Sequence, residues 1–531
     1  MIIFLAVFGL LFVFLFQSQK TGKTATTGQP NIVFIMADDM NVSDLAYMPK
    51  AQQYLVSQGT TFPNSLVNWS QCCPSRASIF RGQNANNTQI FNNDLPSGGG
   101  FGKFYQLGEE QQTIAVWLKN AGYRTVLFGK YLNNYPNEVT TIPRTYIPPG
   151  WNEWYALTKN YYEQFNYNLN ENGTIVKYGS LASQYLTDVI SSKSADFIRR
   201  NTSVPFFMYI APTGPHGPST PAPRYASLFS TLQAPRNPNF NEADVSDKPA
   251  WIKALPLLTP TDIAGLDSSY ENRLRSLQAV DDLIENVVLT LQATGQLNNT
   301  YIFFYSDNGF HLGEHRLDHG KNTEFEEDIK VPLVVRGPNV AAGATVTKLV
   351  GNIDLASTWA QIANATIPIT IDGRSFAGLL STNFPTPATW RNGYLIGFVG
   401  PTGTKATDGF RGSQAVRTDK YLYVEYLTGE REFYDLTVDP YELTNTYSTV
   451  SVTNPQLINS LAAMLAGLRT CAGDPCRTAE QLAIIDVTPT STPTPTLLPT
   501  STPTPLPTDT PTPLPTSTPT PLPTSTPTPT P

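Results

Sequence analysis

The chain has 531 residues, of which 40% are hydrophobic and 11% aromatic, so it is long enough to bury a large core. This length excludes a short binding module and indicates one large domain, alone or with a smaller one. The formal net charge of −7 excludes a protein that holds nucleic acid through a broad basic surface. Any anionic ligand must therefore be held by a few local cations.

The chain begins with an apolar segment, residues 1–16, whose length suits a signal peptide better than a membrane-spanning helix of about 20 residues. No Lys or Arg precedes this segment and no small-residue cleavage motif follows it before Lys20, so a retained anchor is the alternative. We assign residues 1–27 to a signal peptide or N-terminal anchor with a linker. The expected location is secreted or on the surface of a bacterial cell, with membrane contact only through an uncleaved N-terminal segment.

Short β-branched and aromatic segments then alternate with amphipathic ones, a pattern typical of an α/β sheet covered by helices. Five predicted strands are residues 31–37, 125–129, 206–210, 301–305 and 331–335. The polar groups that follow them are Asp38 with Asp39, Lys130, the segment 212–216, Asp307 with Asn308, and Arg336. Because functional groups gather beyond the carboxyl ends of strands in open α/β sheets, we predict that all five strand ends converge on one site.

A different pattern follows residue 385, with four short strands typical of an antiparallel sheet and then a helix at about residues 454–468. The four strands are residues 394–399, 413–417, 421–426 and 432–434. We therefore predict a main domain over residues 28–385, which carries the site, and a C-terminal subdomain over residues 386–486. Residues 487–531 are almost entirely Thr, Pro, Ser and Leu, a composition that favours extended polyproline II and forms no core, as in a stalk or a disordered tail.

The four cysteines occur in two close pairs. Cys471 and Cys476 could close a small disulfide ring in an oxidising compartment, whereas the adjacent Cys72 and Cys73 seldom bridge because such a ring is strained. Cys72 opens the string C-C-P-S-R-A-S, which runs into a helical stretch, and proline suits the first turn of a helix. A helix start offers free N–H groups to an anion, so this position suits an oxyanion.

The two acidic clusters indicate a metal site. Asp38 and Asp39 follow one predicted strand, and Asp307 and Asn308 follow another. Three carboxylates and an amide oxygen form a hard oxygen set that suits Ca²⁺ or Mg²⁺ better than Zn²⁺. Each pair alone is also typical of a structural feature, a helix cap for Asp-Asp and a turn for Asp-Asn-Gly. Their presence together beside the C-x-P-S-R string favours a metal site.

The C-x-P-S-R string resembles the signature of the sulfatase family, in which the first cysteine is oxidised by a dedicated enzyme to formylglycine. With its partner motifs, the resemblance covers most of residues 31–480. It implies an alkaline-phosphatase-like α/β sandwich, in which helices cover a central, mostly parallel mixed sheet, with a small C-terminal subdomain of an antiparallel sheet and a helix. It also implies a nucleophile made from Cys72, and one Ca²⁺, with Mg²⁺ the weaker alternative, bound by Asp38, Asp39, residue 72, Asp307 and Asn308.

The resemblance also assigns roles to three cations and one histidine. Arg76, Lys130 and Lys321 would meet the charge of the sulfate oxygens. His216, in the string T-G-P-H-G-P, matches the family's Pro-His element and would protonate the leaving alcohol after the hydrated aldehyde attacks sulfur. The second hydroxyl of the hydrate would then expel sulfate and restore the aldehyde.

One position departs from the common family pattern. Many sulfatases carry a histidine two residues after the first of these lysines, whereas this chain has Leu132 there, followed by Asn133. The subgroup that acts on N-acetylglucosamine-6-sulfate shares this departure, and its CCPSRAS and GKYLN strings resemble those of this chain. Asn133 is therefore a candidate contact to substrate. His311 and His315 are further candidates, for the sugar or the outer shell of the metal, whereas His319 fits an ordinary polar loop.

The resulting prediction is an exported hydrolase of sulfate esters that acts on a sulfated carbohydrate and is matured by a formylglycine-generating enzyme. N-acetylglucosamine-6-sulfate in a glycosaminoglycan-like glycan is the first candidate substrate. The Tyr- and Asn-rich residues 151–170 could line a carbohydrate cleft or form ordinary surface loops. Two alternatives are a phosphodiesterase or phosphonate ester hydrolase on the same scaffold, and a surface protein that binds sulfated glycans without cleaving them.

Overall fold

The computed structural model describes residues 28–201, 203–397 and 412–487. The predicted leader and the Thr/Pro-rich tail lie outside the described residues, as does the end of the predicted strand 394–399. None of the helices in these three stretches combines the length and the apolar character that a bilayer crossing requires.

The strands of the described residues are β1 (Asn31–Ala37), β2 (Thr60–Thr61), β3 (Ser65–Leu66), β4 (Arg124–Gly129), β5 (Glu153–Lys159), β6 (Asn168–Glu171), β7 (Thr174–Lys177), β8 (Phe206–Ala211), β9 (Thr300–Ser306), β10 (His311–Leu312), β11 (His319–Gly320), β12 (Leu333–Arg336), β13 (Ala344–Thr345), β14 (Val350–Gly351), β15 (Gly393–Gly397), β16 (Ser413–Thr418), β17 (Tyr421–Tyr426) and β18 (Arg431–Asp435). The α-helices are α1 (Pro49–Ala51), α2 (Cys72–Arg81), α3 (Ala85–Thr88), α4 (Gly100–Gln106), α5 (Ile114–Asn120), α6 (Leu186–Arg200), α7 (Ala250–Lys253), α8 (Pro260–Ala293), α9 (Glu326–Ile329), α10 (Asn352–Ile362), α11 (Ala377–Leu380), α12 (Tyr447–Thr453), α13 (Pro455–Thr470) and α14 (Asp474–Ala479).

Ten strands form the central sheet, in the order β13-β2-β12-β9-β1-β8-β4-β5-β6-β7. The inner strands from β9 to β5 run parallel to one another, whereas β12 and β6 pair antiparallel with β9 and β5. The sheet is therefore mixed and mostly parallel, as predicted. Every residue of β1, β8 and β9 is buried, which explains why these segments are continuous apolar runs in the sequence.

Helices cover both faces of this sheet. Alternate residues of β1 point to opposite faces, so that Phe34 lies in one core and Ile35 in the other. The first core includes Phe80 of α2 and Trp359 of α10, and the second includes Leu277 of α8. The result is a three-layer α/β/α sandwich.

The prediction that all five strand ends converge is wrong for one strand. β12 runs antiparallel to β9, with Arg336 paired opposite Ile302 near the start of β9. Arg336 therefore lies at the opposite end of the strands from Asp307. Its guanidinium donates to the Tyr54 carbonyl at 2.9 Å. The composition of a buried strand does not encode its direction, so only the ends of the parallel strands meet.

The C-terminal residues form a four-stranded antiparallel sheet in the order β15-β16-β17-β18, as predicted. Leu461 of α13 packs in a core on one face of this sheet, and Cys471 and Cys476 form a disulfide beside it. Tyr394 of β15 shares another core with Ile353 of α10. This core joins the sheet to the rest of the fold, and the domain boundary at residue 385 stays a prediction.

Candidate active site

The parallel strands bring their carboxyl ends to one edge of the sheet, where polar side chains from four of them meet. They are Asp38 and Asp39 after β1, Lys130 after β4, His216 after β8, and Asp307 with Asn308 after β9. The loop after β8 is held beside β1 by a hydrogen bond from the Asp38 amide to the Gly214 carbonyl, at 3.2 Å. Residues that are far apart in sequence therefore form one site.

Cys72 is the first residue of α2 and faces this group. Its Sγ lies 3.5 Å from Asp38 Oδ1 and 3.8 Å from Asp39 Oδ1. Lys321 Nζ lies 2.9 Å from the same sulfur. Cys73 instead packs in the apolar core on one face of the central sheet. Of the two adjacent cysteines, Cys72 is the one that contacts the charged residues.

The unmodified Cys72 thiol is a poor nucleophile. Cys72 is fully buried, and burial raises the pKa of its thiol well above its usual range although Lys130 and Lys321 oppose the shift. The side chain is therefore a neutral thiol at neutral pH. Because the thiolate is the nucleophilic form of cysteine, reaction at this position requires a change in its chemistry.

Asp38 lies between two buried cations. Lys130 Nζ donates to its Oδ2 at 2.6 Å, and Arg76 Nη2 lies 3.4 Å from the same oxygen. Burial alone would raise the pKa of Asp38, but these positive charges outweigh it and lower the pKa to about 2. Asp38 is therefore ionised at neutral pH. Arg76 is fixed by a second bond, from Nε to Asp307 Oδ2 at 2.8 Å.

Asp39 is paired with Lys321, whose Nζ donates to Asp39 Oδ1. Burial would raise the pKa of Asp39, but the charges of Lys321 and His216 outweigh it and lower the pKa to about 2. Asp39 has a left-handed backbone with φ of 66°, a conformation that a non-glycine residue adopts at some energetic cost. Arg273 of α8 donates to the Asp39 carbonyl and so supports this conformation.

The donor set of this site fits a divalent ion. Ligand atoms within 4.8 Å of one another are offered by Asp38, Asp39, Cys72 and His216. Asn308 Nδ2 donates to Asp39 Oδ1 at 2.7 Å, which places its amide beside this group. Asn308 Oδ1 is buried and has no hydrogen-bond partner among the described residues. Clustered carboxylates with an unsatisfied amide oxygen suit Ca²⁺ or Mg²⁺, so the residues present fit the metal that the sequence resemblance implies.

His216 forms the open side of the site, with 20% of its side chain exposed. Its Nε2 lies 3.6 Å from Asp39 Oδ2. Its ring stacks on Tyr162, with the ring centroids 3.8 Å apart and the planes 7° from parallel. Burial lowers the pKa of His216, although Asp39 opposes the shift. The imidazole is therefore held in a defined position at the opening, next to the buried carboxylates.

Tyr162 contacts three of the predicted site residues. Its ring stacks on His216, and its hydroxyl accepts a hydrogen bond from Asn133 Nδ2 at 2.8 Å. Lys130 Nζ lies 4.6 Å from the centroid of its ring, within the range of a cation–π contact. The sequence analysis did not identify Tyr162 individually, and the only signal was its place in the aromatic-rich residues 151–170. Asn133 reaches the site through this tyrosine.

His311 and His315 contact carboxylates outside the Cys72 group. His311 Nδ1 lies 3.0 Å from both carboxylate oxygens of Asp328, and His315 Nδ1 lies 2.6 Å from Glu242 Oε2. Both imidazoles are buried, so a contact of either one with a substrate stays a prediction. The side chain of His319 is 58% exposed, as expected for a polar loop.

Most of the chain matches known protein-family models. The family model described as Sulfatase matches residues 30–365, more than half of the chain. The chain belongs to the sulfatase family. A second model, described as N-sulphoglucosamine sulphohydrolase, C-terminal, matches residues 313–470 of this sulfatase. The family resemblance read from the C-x-P-S-R string is therefore confirmed.

Curated relatives agree with this assignment. The sulfatase is 36% identical to human N-acetylglucosamine-6-sulfatase over 490 residues, which cover 86% of this chain and 87% of the human protein. It is 34% identical to an arylsulfatase of Volvox carteri over 507 residues, which cover 84% of this chain and 76% of the algal protein. The chain is therefore an enzyme of the sulfatase type.

Solved structures share the fold. A protein whose structure was solved in complex with its substrate D-glucosamine-2-N,6-O-disulfate has a TM-score of 0.68 at 22% identity, covering 85% of this chain and 99% of that protein. The phosphonate monoester hydrolase of Agrobacterium radiobacter has a TM-score of 0.63 at 19% identity, covering 82% of this chain and 95% of that protein. The predicted alkaline-phosphatase-like fold is thus confirmed, and the ester that is cleaved must be argued from the site.

Proposed function

We propose that this sulfatase removes sulfate from a carbohydrate ester, with formylglycine at residue 72 as the nucleophile and one Ca²⁺ at the adjacent carboxylates. The observation that carries the proposal is the position of Cys72, the first residue of a helix, 3.5 Å from Asp38 and 2.9 Å from Lys321. N-acetylglucosamine-6-sulfate is the first candidate substrate. It is supported by the name of the human relative and by the 6-O-sulfated glucosamine bound to a structural neighbour.

The charge and the exposure of the site residues indicate which of them bind sulfate and which one transfers a proton. Arg76, Lys130 and Lys321 place three positive charges around residue 72, so they bind sulfate oxygens and stabilise the negative charge that develops during attack at sulfur. His216 lies at the open side of the site, where the leaving alcohol departs, and delivers a proton to it. Tyr162 holds the His216 ring in place by stacking.

Asp38, Asp39, Asp307 and Asn308 would hold the metal. When bound, Ca²⁺ supplies Lewis acidity and orientation, and the hydrated aldehyde supplies one hydroxyl for attack and a second for release of sulfate. Conversion of Cys72 is supported by its environment, because a buried neutral thiol is a poor nucleophile. A serine at this position has one hydroxyl and would form a sulfate ester that it cannot release.

The test compares Cys72→Ser with Cys73→Ala in steady-state hydrolysis of an aryl sulfate. We expect Cys72→Ser to lose multiple turnover, with kcat lower by at least about 10³-fold, the scale of a lost nucleophile. Cys73→Ala is the matched control, because Cys73 packs in the core and should leave much of the activity. Equal turnover by Cys72→Ser and the parent enzyme would reject the proposal.

A phosphodiesterase or phosphonate ester hydrolase is the second candidate, since a phosphonate monoester hydrolase shares the fold. Rates measured with an aryl sulfate and an aryl phosphodiester separate the two candidates. We expect the higher kcat/KM for the sulfate, and the reverse order would favour the alternative. A protein that only binds sulfated glycans would show binding without turnover even when residue 72 is fully converted.

We also propose that the enzyme acts outside the cell or on its surface, and that a formylglycine-generating enzyme matures it. The disulfide between Cys471 and Cys476 supports an oxidising compartment. The apolar segment at residues 1–16 supports export. Maturation is supported by the C-x-P-S-R string around Cys72, which resembles the family signature whose first cysteine is oxidised by a dedicated enzyme.

A further inference from the structure

We infer that this sulfatase binds a second divalent cation, of the zinc type, at a site formed by the buried His315 and Glu442 and the partly buried Glu327. One ligand atom from each of these side chains lies within 4.8 Å of the others. His315 lies between β10 and β11, Glu327 is in α9, and Glu442 follows β18. The site is separate from the Cys72 group, and the inference does not depend on the proposed reaction.

The two carboxyl groups of this site have no directly bonded cation among the described residues, although the charge of Arg417 reaches Glu442. Within the part of the chain that the structure describes, Glu327 and Glu442 form no ion pair, whereas the adjacent Glu326 is bonded to Arg417 at 2.7 and 2.9 Å. Burial, together with neighbouring carboxylates, raises the pKa of Glu327 to about 7 and that of Glu442 well above its usual range. Carboxyl groups whose ligand atoms lie within 4.8 Å of one another, away from bulk water, are stabilised by a bound cation or by protonation.

Oxygen atoms without partners favour the cation. Glu327 Oε2, Glu442 Oε1 and Asn239 Oδ1 are buried and have no hydrogen-bond partner among the described residues. Glu442 and Asn239 are completely buried, so bulk water does not satisfy them. Leaving a buried acceptor unsatisfied is costly, and one shared proton serves only the two carboxylates. A cation at this point would be a partner for the oxygens of Glu327 and Glu442, and for Asn239 Oδ1 after its amide rotates.

His315 is oriented as a metal ligand. Its Nδ1 lies 2.6 Å from Glu242 Oε2, so in the tautomer with the proton on Nδ1 this carboxylate accepts it and Nε2 is the ligand atom. A carboxylate on the distal nitrogen is the common arrangement behind a metal-binding histidine. Asn239 Nδ2 lies 3.3 Å from His315 Nε2 and 2.8 Å from Glu327 Oε1, and rotation of this amide would turn its unpartnered oxygen towards the ion.

The ligand set selects the type of ion and indicates its role. One imidazole and two carboxylates form a mixed nitrogen and oxygen set, which suits Zn²⁺ better than Ca²⁺. Lys321 lies between His315 and Glu327 in the chain, and Glu442 belongs to the C-terminal residues. By binding His315, Glu327 and Glu442 together, the ion would link the segment that carries Lys321 to the C-terminal part of the fold. It would thereby hold in place the lysine whose Nζ lies 2.9 Å from Cys72 Sγ.

The test is the zinc content of the purified full chain. After chelation, the protein is reloaded with zinc chloride in excess Ca²⁺, which occupies the oxygen site near Cys72, and zinc per chain is measured by metal mass spectrometry. We expect one zinc ion per chain in the parent, and its loss in Glu442→Gln and in His315→Gln. Glu242→Gln removes the carboxylate behind Nδ1, together with its ion pair to Lys248 at 3.5 Å, so it should weaken zinc binding by about 10–100-fold.

Two controls distinguish this site from other acidic positions. Glu324→Gln changes another buried glutamate with an unpartnered oxygen, outside the three-residue group, and should keep the zinc. Asp39→Asn changes the site near Cys72 and should also keep it. Zinc that is absent from the parent, or that persists in both Glu442→Gln and His315→Gln, would overturn the inference in favour of a shared proton.

A second measurement serves if those variants do not fold. Anomalous diffraction from crystals of the zinc-loaded parent at the zinc edge locates the ion without any substitution. A peak beside His315 Nε2 supports the inference. A peak only at the Cys72 group, or no peak, overturns it.

Discussion

Replacing Lys130 with methionine removes one positive charge from a buried pair. Lys130 Nζ lies 2.6 Å from Asp38 Oδ2, and the two side chains are 1% and 0% exposed. Methionine keeps an unbranched apolar stem of similar length, so the main perturbation is the loss of charge. We expect both the folding stability and the turnover of the sulfatase to fall.

The pKa of Asp38 sets the size of the stability loss. It is lowered from 3.8 to about 2, against the effect of burial, and Lys130 is the largest of the three charges that lower it, ahead of Arg76 and His216. A pKa that is lowered from 3.8 to about 2 corresponds to about 2 kcal/mol of stabilisation at neutral pH. Because the folded pKa is below the unfolded one, this stabilisation is present above about pH 4 and is lost as the pH falls towards 2. Without metal, Lys130→Met should lose a large part of this stabilisation at pH 7, although Arg76 and His216 remain beside Asp38.

Urea unfolding at pH 7, in EDTA and in saturating Ca²⁺, measures this loss. An ion held by Asp38 balances the charge that Lys130 no longer balances, so the loss in calcium should be less than half of that in EDTA. Lys330→Met is the control, because Lys330 is 31% exposed and lies 3.4 Å from Glu326, a pair worth less than about 1 kcal/mol under either condition. Equal losses for Lys130→Met with and without calcium would refute the reasoning that Asp38 binds the ion.

Two further predictions concern Tyr162 and the disulfide. Tyr162→Ala removes the ring on which His216 stacks and the partner of Asn133, so kcat/KM for an aryl sulfate should fall by about 10²-fold, the scale of a misplaced catalytic group. Tyr162→Phe keeps the ring and should keep most of the activity; equal losses would exclude a role for stacking. Replacing Cys471 and Cys476 with serine opens a ring with a sequence separation of 5 and should lower the unfolding free energy by about 2 kcal/mol. An unchanged urea midpoint under non-reducing conditions would contradict this estimate.

The sequence predicts the site where its residues directly follow apolar runs. Asp38, Lys130 and Asp307 each come immediately after a segment that forms a buried parallel strand, so the topology alone brings them to one edge. Cys72 could be placed because the proline-containing string that follows it suits a helix start. The same reasoning failed for Arg336, because nothing in the composition of β12 shows that the strand runs in the opposite direction.

Residues that reach the site from elsewhere could not be predicted. Tyr162 comes from the loop between β5 and β6, and Arg273 comes from the middle of α8, a helix of 34 residues that the sequence analysis did not delimit. Their contacts depend on how loops and helices pack, which no local spacing rule encodes. His315 and Glu442 meet for the same reason, since the C-terminal sheet shares a core with Ile329 of α9 and Ile353 of α10.

The central claim is that residue 72 carries an aldehyde when the enzyme turns over. Mass spectrometry of the peptide that contains Cys72 measures the converted fraction through a mass loss of about 18 Da from the thiol form. The same preparations are assayed for hydrolysis of an aryl sulfate. We expect activity in proportion to the converted fraction, and no turnover from protein that carries only the thiol. Full activity in a preparation whose Cys72 is entirely unmodified would contradict the claim.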